Sequence, residues 1–150
     1  LARFARGVAI PADERRRPNP IAATPDAIAS GRAHFADHCA LCHANDGSGE
    51  TDFGRGMYPP PPDMRLEATQ QLTDGELFYI IEHGIRFTGM PGFGTGDAEH
   101  AEESWQLVHF IRRLPVLSES ELEEMRQINP RSPAEIRQEI EEERFLRGEP

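Results

Sequence analysis

The stretch Cys39-Ala40-Leu41-Cys42-His43 limits what this chain can fold into more than any other. A pair of cysteines separated by two residues, with a histidine directly after the second, is the signature for covalent attachment of a c-type haem. The chemistry needs these residue types in this order. Each thiol adds to one vinyl group of the porphyrin, and the gap between the cysteines matches the distance between the vinyls. The residue that follows lies under the iron, so His43 supplies the proximal imidazole. The remaining sequence reads as the housing of a flat, mostly apolar ligand.

Other uses of such a pair have different requirements. A redox dithiol expects a βαβ setting, and a zinc site wants a second cysteine pair or a distant histidine pair. Cys39 and Cys42 are the chain's only cysteines. His34 and His38, just upstream, are the nearest imidazoles with which a zinc ion would have to be completed.

A length of 150 residues suggests one domain with a modest core, and apolar content is only 37%. Thirteen prolines and 13 glycines predict much irregular chain, a shortfall in packing that a buried haem would offset. Net charge is −10, with every positive side chain an arginine. The excess of arginine is confined to residues 1–20, while residues 21–115 and 116–150 are acidic. This argues against nucleic-acid binding and favours a partner with a basic face. No apolar run approaches the roughly 20 residues of a membrane span. The sequence opens at Leu1 rather than methionine, leaving room for a preceding signal, anchor or domain. Covalent haem attachment takes place outside the cytoplasm, so a periplasmic location is expected, with membrane proximity through such an anchor.

Three segments follow from this reading: an N-terminal arm or tether over 1–23, a haem domain over 24–115 and a charged helical extension over 116–150. Pro11, Pro18 and Pro20 interrupt the arm, and Arg15-Arg16-Arg17 is too charged to bury. It straps the domain, tethers it near anionic headgroups, or is a solvated linker. A first helix is predicted from a Thr24 cap, with Pro25 at its first position, to about Asp37. Gly31 in its middle costs about 1 kcal/mol relative to alanine, which predicts another backbone close by. From Ala44 to Pro62 no regular element is predicted, only turn formers and the run Pro59–Pro62. A carbonyl of that run is a candidate acceptor for the second nitrogen of His43.

Thr73 and Glu76 form a capping box for a helix ending near His83. The loop after it, Gly84 to Gly94, holds Met90 between glycines and a proline, away from any apolar helix face, and nominates its thioether as distal ligand. A third helix over about 102–114 carries Trp105, Leu107, Val108, Phe110, Ile111 and Leu114 as a wide apolar stripe. Ser118 with Glu121 and Ser132 with Glu135 open two charged helices, about 119–128 and 133–146.

These motifs, in this order, resemble the small class I cytochromes c over residues 24–115. Gly31 and Phe35 before the cysteine motif, Pro62-Asp63-Met64, Gly89-Met90-Pro91, Trp105 and the pair Leu107 and Phe110 carry the resemblance. It implies an all-α cytochrome c fold, with three core helices around one covalent haem c. Gly31 and Phe35 would then meet Leu107 and Phe110 at a helix crossing. Pro62 would hold the proximal histidine, Met90 would be the axial methionine, and Trp105 would lie near a haem propionate. The family core requires neither the arm nor the extension, which either wraps the domain or binds a larger membrane complex.

The expected function is one-electron transfer between redox proteins or within a membrane electron-transfer complex, with iron held by His43 and Met90 and no catalytic residues. Two rivals stand beside it. One is a resident haem subunit or fragment of a larger oxidoreductase; the other is an enzyme or sensor with a detachable Met90. Bis-histidine ligation through His83, His100 or His109 is a chemical variant.

Overall fold

In the computed structural model residues 10–131 and 133–148 are described, and every regular element among them is helical. Residues 1–9 of the arm and the Ser132 cap lie outside the described residues. The elements are α1 (Ala12–Arg15), α2 (Pro25–His34), a π-helical turn (Phe35–Cys39), α3 (Ala40–His43), α4 (Asp52–Arg55), α5 (Glu67–Gln70), α6 (Asp74–His83), α7 (Ala98–Arg113), a 3-10 turn (Leu114–Val116), α8 (Glu119–Ile128) and α9 (Pro133–Leu146). No helix among the described residues is long and apolar enough to cross a membrane.

Helix α2 begins as its sequence dictates. The Thr24 hydroxyl accepts from the Ala27 amide at 3.1 Å, and Pro25 stands at the first position, where no amide hydrogen is needed. The helix does not stop at Asp37. It widens into the π turn and continues as α3, so the cysteine motif is carried on helical backbone. π turns inside helices recur at functional sites.

Helices α2 and α7 cross at Gly31. A Cβ on Gly31 would lie 2.6 Å from the Gln106 carbonyl carbon and 3.1 Å from the Leu107 nitrogen. The glycine is therefore the residue that lets the two backbones touch. One turn on, the Phe35 and Phe110 rings meet at 5.1 Å, both almost completely buried. Ala36, Leu107, Val108 and Ile111 complete the contact, while Leu77, Phe78 and Ile81 of α6 close the core from the other side. Helix α7 starts at Ala98, earlier than its apolar stripe suggests, because the Asp97 carboxylate accepts from the His100 amide at 2.9 Å.

The arm from Ile10 onward is strapped to this core. Trp105 stacks on Phe78 at 4.0 Å and 8°, and the Arg17 guanidinium covers both rings at 4.8 and 5.3 Å from their centroids. The arginine run, too charged to bury, is thus held by its planar cation on an aromatic surface. Asn19 donates to the Trp105 carbonyl at 2.9 Å, and a ring nitrogen of His109 lies 2.7 Å from the Ile21 carbonyl. Thr73 has two roles. Its side chain accepts from the Glu76 amide within the capping box, and its hydroxyl donates to the Arg15 carbonyl at 2.7 Å. Thr73→Ala is expected to cost about 1 kcal/mol, read as a lowered melting temperature that Thr73→Ser restores.

Helix α8 wraps the domain. Met125 is fully buried, Leu122 packs on the core, and Arg32 pairs with Glu121 and Glu124. Its capping box at Ser118 and Glu121 is formed as expected. In α9, by contrast, Phe145 and Leu146 are more than four-fifths exposed.

Candidate functional site

Cys39, Cys42 and His43 occupy the last turns of the α2–α3 rod, and the cysteines are free thiols, not a disulfide. Burial, reinforced by the neighbouring Cys42, pushes the Cys39 thiol up to about 12, and burial also raises Cys42. Both sulfurs are therefore protonated thiols at neutral pH. A haem bound here would be held through these two sulfurs, each forming a thioether by net addition of its S–H across a vinyl group.

His43 is the most informative side chain. Burial alone drives its imidazole down to about 4, so the ring is neutral and keeps a lone pair for a metal. Its Nδ1 is buried without a hydrogen-bond partner, a condition that costs about 1–3 kcal/mol in a finished fold. The expected bond from this ring to the Pro62 carbonyl is therefore not made, nor is one to Pro59, Pro60 or Pro61. The proline run is tied elsewhere. A Cβ on Gly49 would stand 2.7 Å from the Pro61 carbonyl oxygen, the Met64 amide donates to the Gly47 carbonyl at 2.8 Å, and Pro62 itself is exposed. Arg65 then locks this loop, pairing with Asp63 and Asp46 at 2.8 Å each.

The loop between Ala44 and the prolines contains one element the sequence did not announce, the single turn α4. Thr51 caps it by accepting from the Gly54 amide at 2.8 Å. The same hydroxyl donates to the Cys42 carbonyl at 3.3 Å, and Gly54 lies so close that a Cβ would be 2.7 Å from that carbonyl oxygen. The chain then reaches Met57, whose sulfur would be 3.0 Å from a Cβ on Gly89. A continuous path of contacts thus joins the cysteine motif to the loop that bears Met90. Met57 is the residue sequence reasoning missed, because its role depends on a contact 32 positions away that no local pattern announces.

That loop is preorganised. The Ile85 amide donates to the Met90 carbonyl at 3.1 Å, and the Met90 amide donates to the Thr88 hydroxyl at 3.1 Å. Phe93 and Gly94 donate to Ile81 and Glu82 at 2.9 and 3.0 Å, zipping the loop onto the end of α6. Gly84 is needed at the hinge: its φ is +67°, and a Cβ would meet the Met90 carbonyl oxygen at 2.5 Å. The half-buried Met90 is held by its backbone on both sides.

Large apolar side chains remain exposed on the same segments. Leu41 between the cysteines, Phe53 and Tyr58 in the loop, and Phe87 three residues before Met90 are 63, 54, 92 and 98% exposed. A porphyrin held at Cys39, Cys42 and His43 is a flat apolar ligand that exposed apolar side chains on these segments suit. The donor set of two free thiols and a buried neutral imidazole fits a haem.

The bis-histidine candidates are engaged elsewhere. His83 stacks on Tyr79 at 4.1 Å, His100 pairs with Asp97 at 3.1 Å, and His109 contacts Ile21. Trp105 is buried under Arg17, on the arm's side of α7.

No curated protein matches the chain. The family model described as cytochrome c oxidase, cbb3-type, subunit III matches residues 26–111. This match covers more than half of the chain, including the cysteine motif, Met90 and the crossing helices. A family of this kind carries covalently bound haem c and transfers electrons. The chain belongs to the c-type cytochromes, in the family of subunit III of the cbb3-type cytochrome c oxidase.

Proposed function

We propose that this protein is a one-electron carrier with a single haem c, bonded through Cys39 and Cys42 and ligated by His43 and Met90. The observation that supports the reading best is His43: a buried neutral imidazole with an unpartnered nitrogen, directly after two protonated thiols. When bound, the haem supplies an iron that alternates between ferric and ferrous. The chain's own residues do the rest. His43 and Met90 would hold the iron and so leave no place on it for a substrate, and a thioether paired with an imidazole would raise the reduction potential. The hydrogen-bonded Met90 loop keeps the ligand in place between redox states, so little rearrangement accompanies each transfer.

The family description names an oxidase subunit, which favours a resident relay in a membrane electron-transfer complex over a freely diffusing shuttle. The acidic body suits a redox partner with a basic face, and the site of action is extracytoplasmic.

The test is optical. Ferric protein is expected to show the weak absorption near the red end that marks thioether ligation, and Met90→Ala is expected to abolish it and lower the midpoint potential. A high-spin ferric spectrum in the unaltered protein, or an unchanged band in Met90→Ala, would overturn the ligand assignment.

A further inference from the structure

Two loops far apart in the sequence meet at Gly89. A Cβ there would lie 3.0 Å from the sulfur of Met57, 3.1 Å from its terminal methyl and 3.3 Å from its Cγ. The Met57 side chain therefore lies directly on the backbone of the residue before Met90. Given the reading of Met90 as the distal ligand, we propose that Met57 is a positioning residue for it. By packing on Gly89, Met57 holds the loop in the conformation from which Met90 reaches the iron.

Met57 is itself placed by the segment that follows the cysteine motif. Its amide donates to the Gly54 carbonyl at 3.1 Å, and a Cβ on Gly54 would be 2.7 Å from the Cys42 carbonyl oxygen. Cys42 immediately precedes His43. The backbone that carries the proximal imidazole is thus linked, through Gly54 and Met57, to the backbone that carries the thioether.

The Met90 loop needs support of this kind. Phe87 stands at a φ of +62°, a conformation that residues with side chains rarely adopt, and its ring is exposed, so packing of the ring does not offset the strain. Strained backbone persists only where its surroundings hold it. The Thr88 hydroxyl and amide both donate to the Ile85 carbonyl, at 2.7 and 3.2 Å, folding the turn on itself. Gly89 is exposed and brings no side chain of its own, and Met57 meets it from outside the loop. An unbranched thioether side chain is suited to fill such an irregular gap.

The consequence concerns how firmly the distal ligand holds. Thioether sulfur is a weak partner, so its hold depends on how much freedom the loop regains on release. A loop already fixed in its ligating conformation loses little when Met90 binds. With Met57 truncated, the loop gains conformations in which Met90 is away from the iron, and an outside ligand competes better for its place.

The experiment uses the haem-bearing ferric protein, with imidazole as the competing ligand and loss of the thioether band as the signal. Met57→Ala is expected to bind imidazole about tenfold more tightly, a change of about 1.4 kcal/mol. Met57→Leu conserves the volume and is expected to stay within about twofold of the unaltered protein. Thr73→Ala, at the far end of α6, is expected to lower the melting temperature without changing imidazole affinity. Equal affinity in Met57→Ala and the unaltered protein, or an equal rise in Thr73→Ala, would overturn the positioning role while leaving Met90 as the ligand. A ferric protein with no thioether band at all would overturn the Met90 assignment itself, and this role with it.

Discussion

Gly31→Ala is expected to destabilise the protein by about 2 kcal/mol or more, although helix propensity alone predicts the opposite sign. Alanine improves on glycine in a helix interior by about 1 kcal/mol. At this position, however, the added carbon would lie 2.6 Å from the carbonyl carbon of Gln106 and closer still to its oxygen. Both are backbone atoms of a helix that cannot turn aside as a side chain would. Relief requires α2 and α7 to separate, which loosens Phe35 against Phe110 and the buried residues around them. Overpacking of this kind costs about 1–3 kcal/mol and occasionally more, and against rigid backbone the upper end applies. For a chain of this length the melting temperature should fall by roughly 4–8 °C. Thermal unfolding of the haem-bearing protein measures it, and an unchanged or raised midpoint would show that the crossing is looser than its geometry indicates.

The second large effect is chemical. In Cys39→Ser/Cys42→Ser, hydroxyls replace the sulfurs that add to vinyl groups. Any pigment still bound is expected to pass entirely into acidified organic solvent, leaving a mass equal to the bare polypeptide. Either single variant retains one thioether and keeps its pigment through extraction. His43 remains in both cases as a buried neutral imidazole, so axial ligation alone would hold the haem reversibly. Pigment that stays with the denatured double variant would contradict attachment at these positions.

Which features were legible depended on how far apart in sequence their causes lie. The cysteine motif is five consecutive residues whose spacing answers to the ligand, so no tertiary information is needed to read it. The caps at Thr24, Thr73 and Ser118 are equally local, each side chain meeting an amide three residues on. The cap at Asp97 is not legible in the same way, because the turn it opens, Ala98 to Ala101, carries no large apolar side chain. Gly31 lay between these cases: the cost of a glycine in a helix announced a close backbone, but not which one.

The proline run shows the limit. Four carbonyls without competing amide hydrogens made plausible partners for His43, yet the glycine turns after the histidine and the Arg65 lock on Asp46 and Asp63 bind that segment elsewhere. Arg17 behaves likewise. As a sequence it is part of a charged arm, and only once Trp105 and Phe78 stack does a surface exist on which its guanidinium can lie. Met57 against Gly89 arises in the same way, from loops 32 positions apart in the sequence.

By itself, then, the sequence determined the chemistry of the cysteine motif and the helix starts at Thr24, Thr73 and Ser118, because each rests on residues within one turn of each other, and the family from the order of such motifs along the chain. Only the tertiary structure decided that the Nδ1 of His43 has no partner, what covers Trp105, and how the arm and α8 wrap the core. Those outcomes depend on the relative placement of distant segments, and that placement is set by packing and backbone contact, which no local spacing encodes.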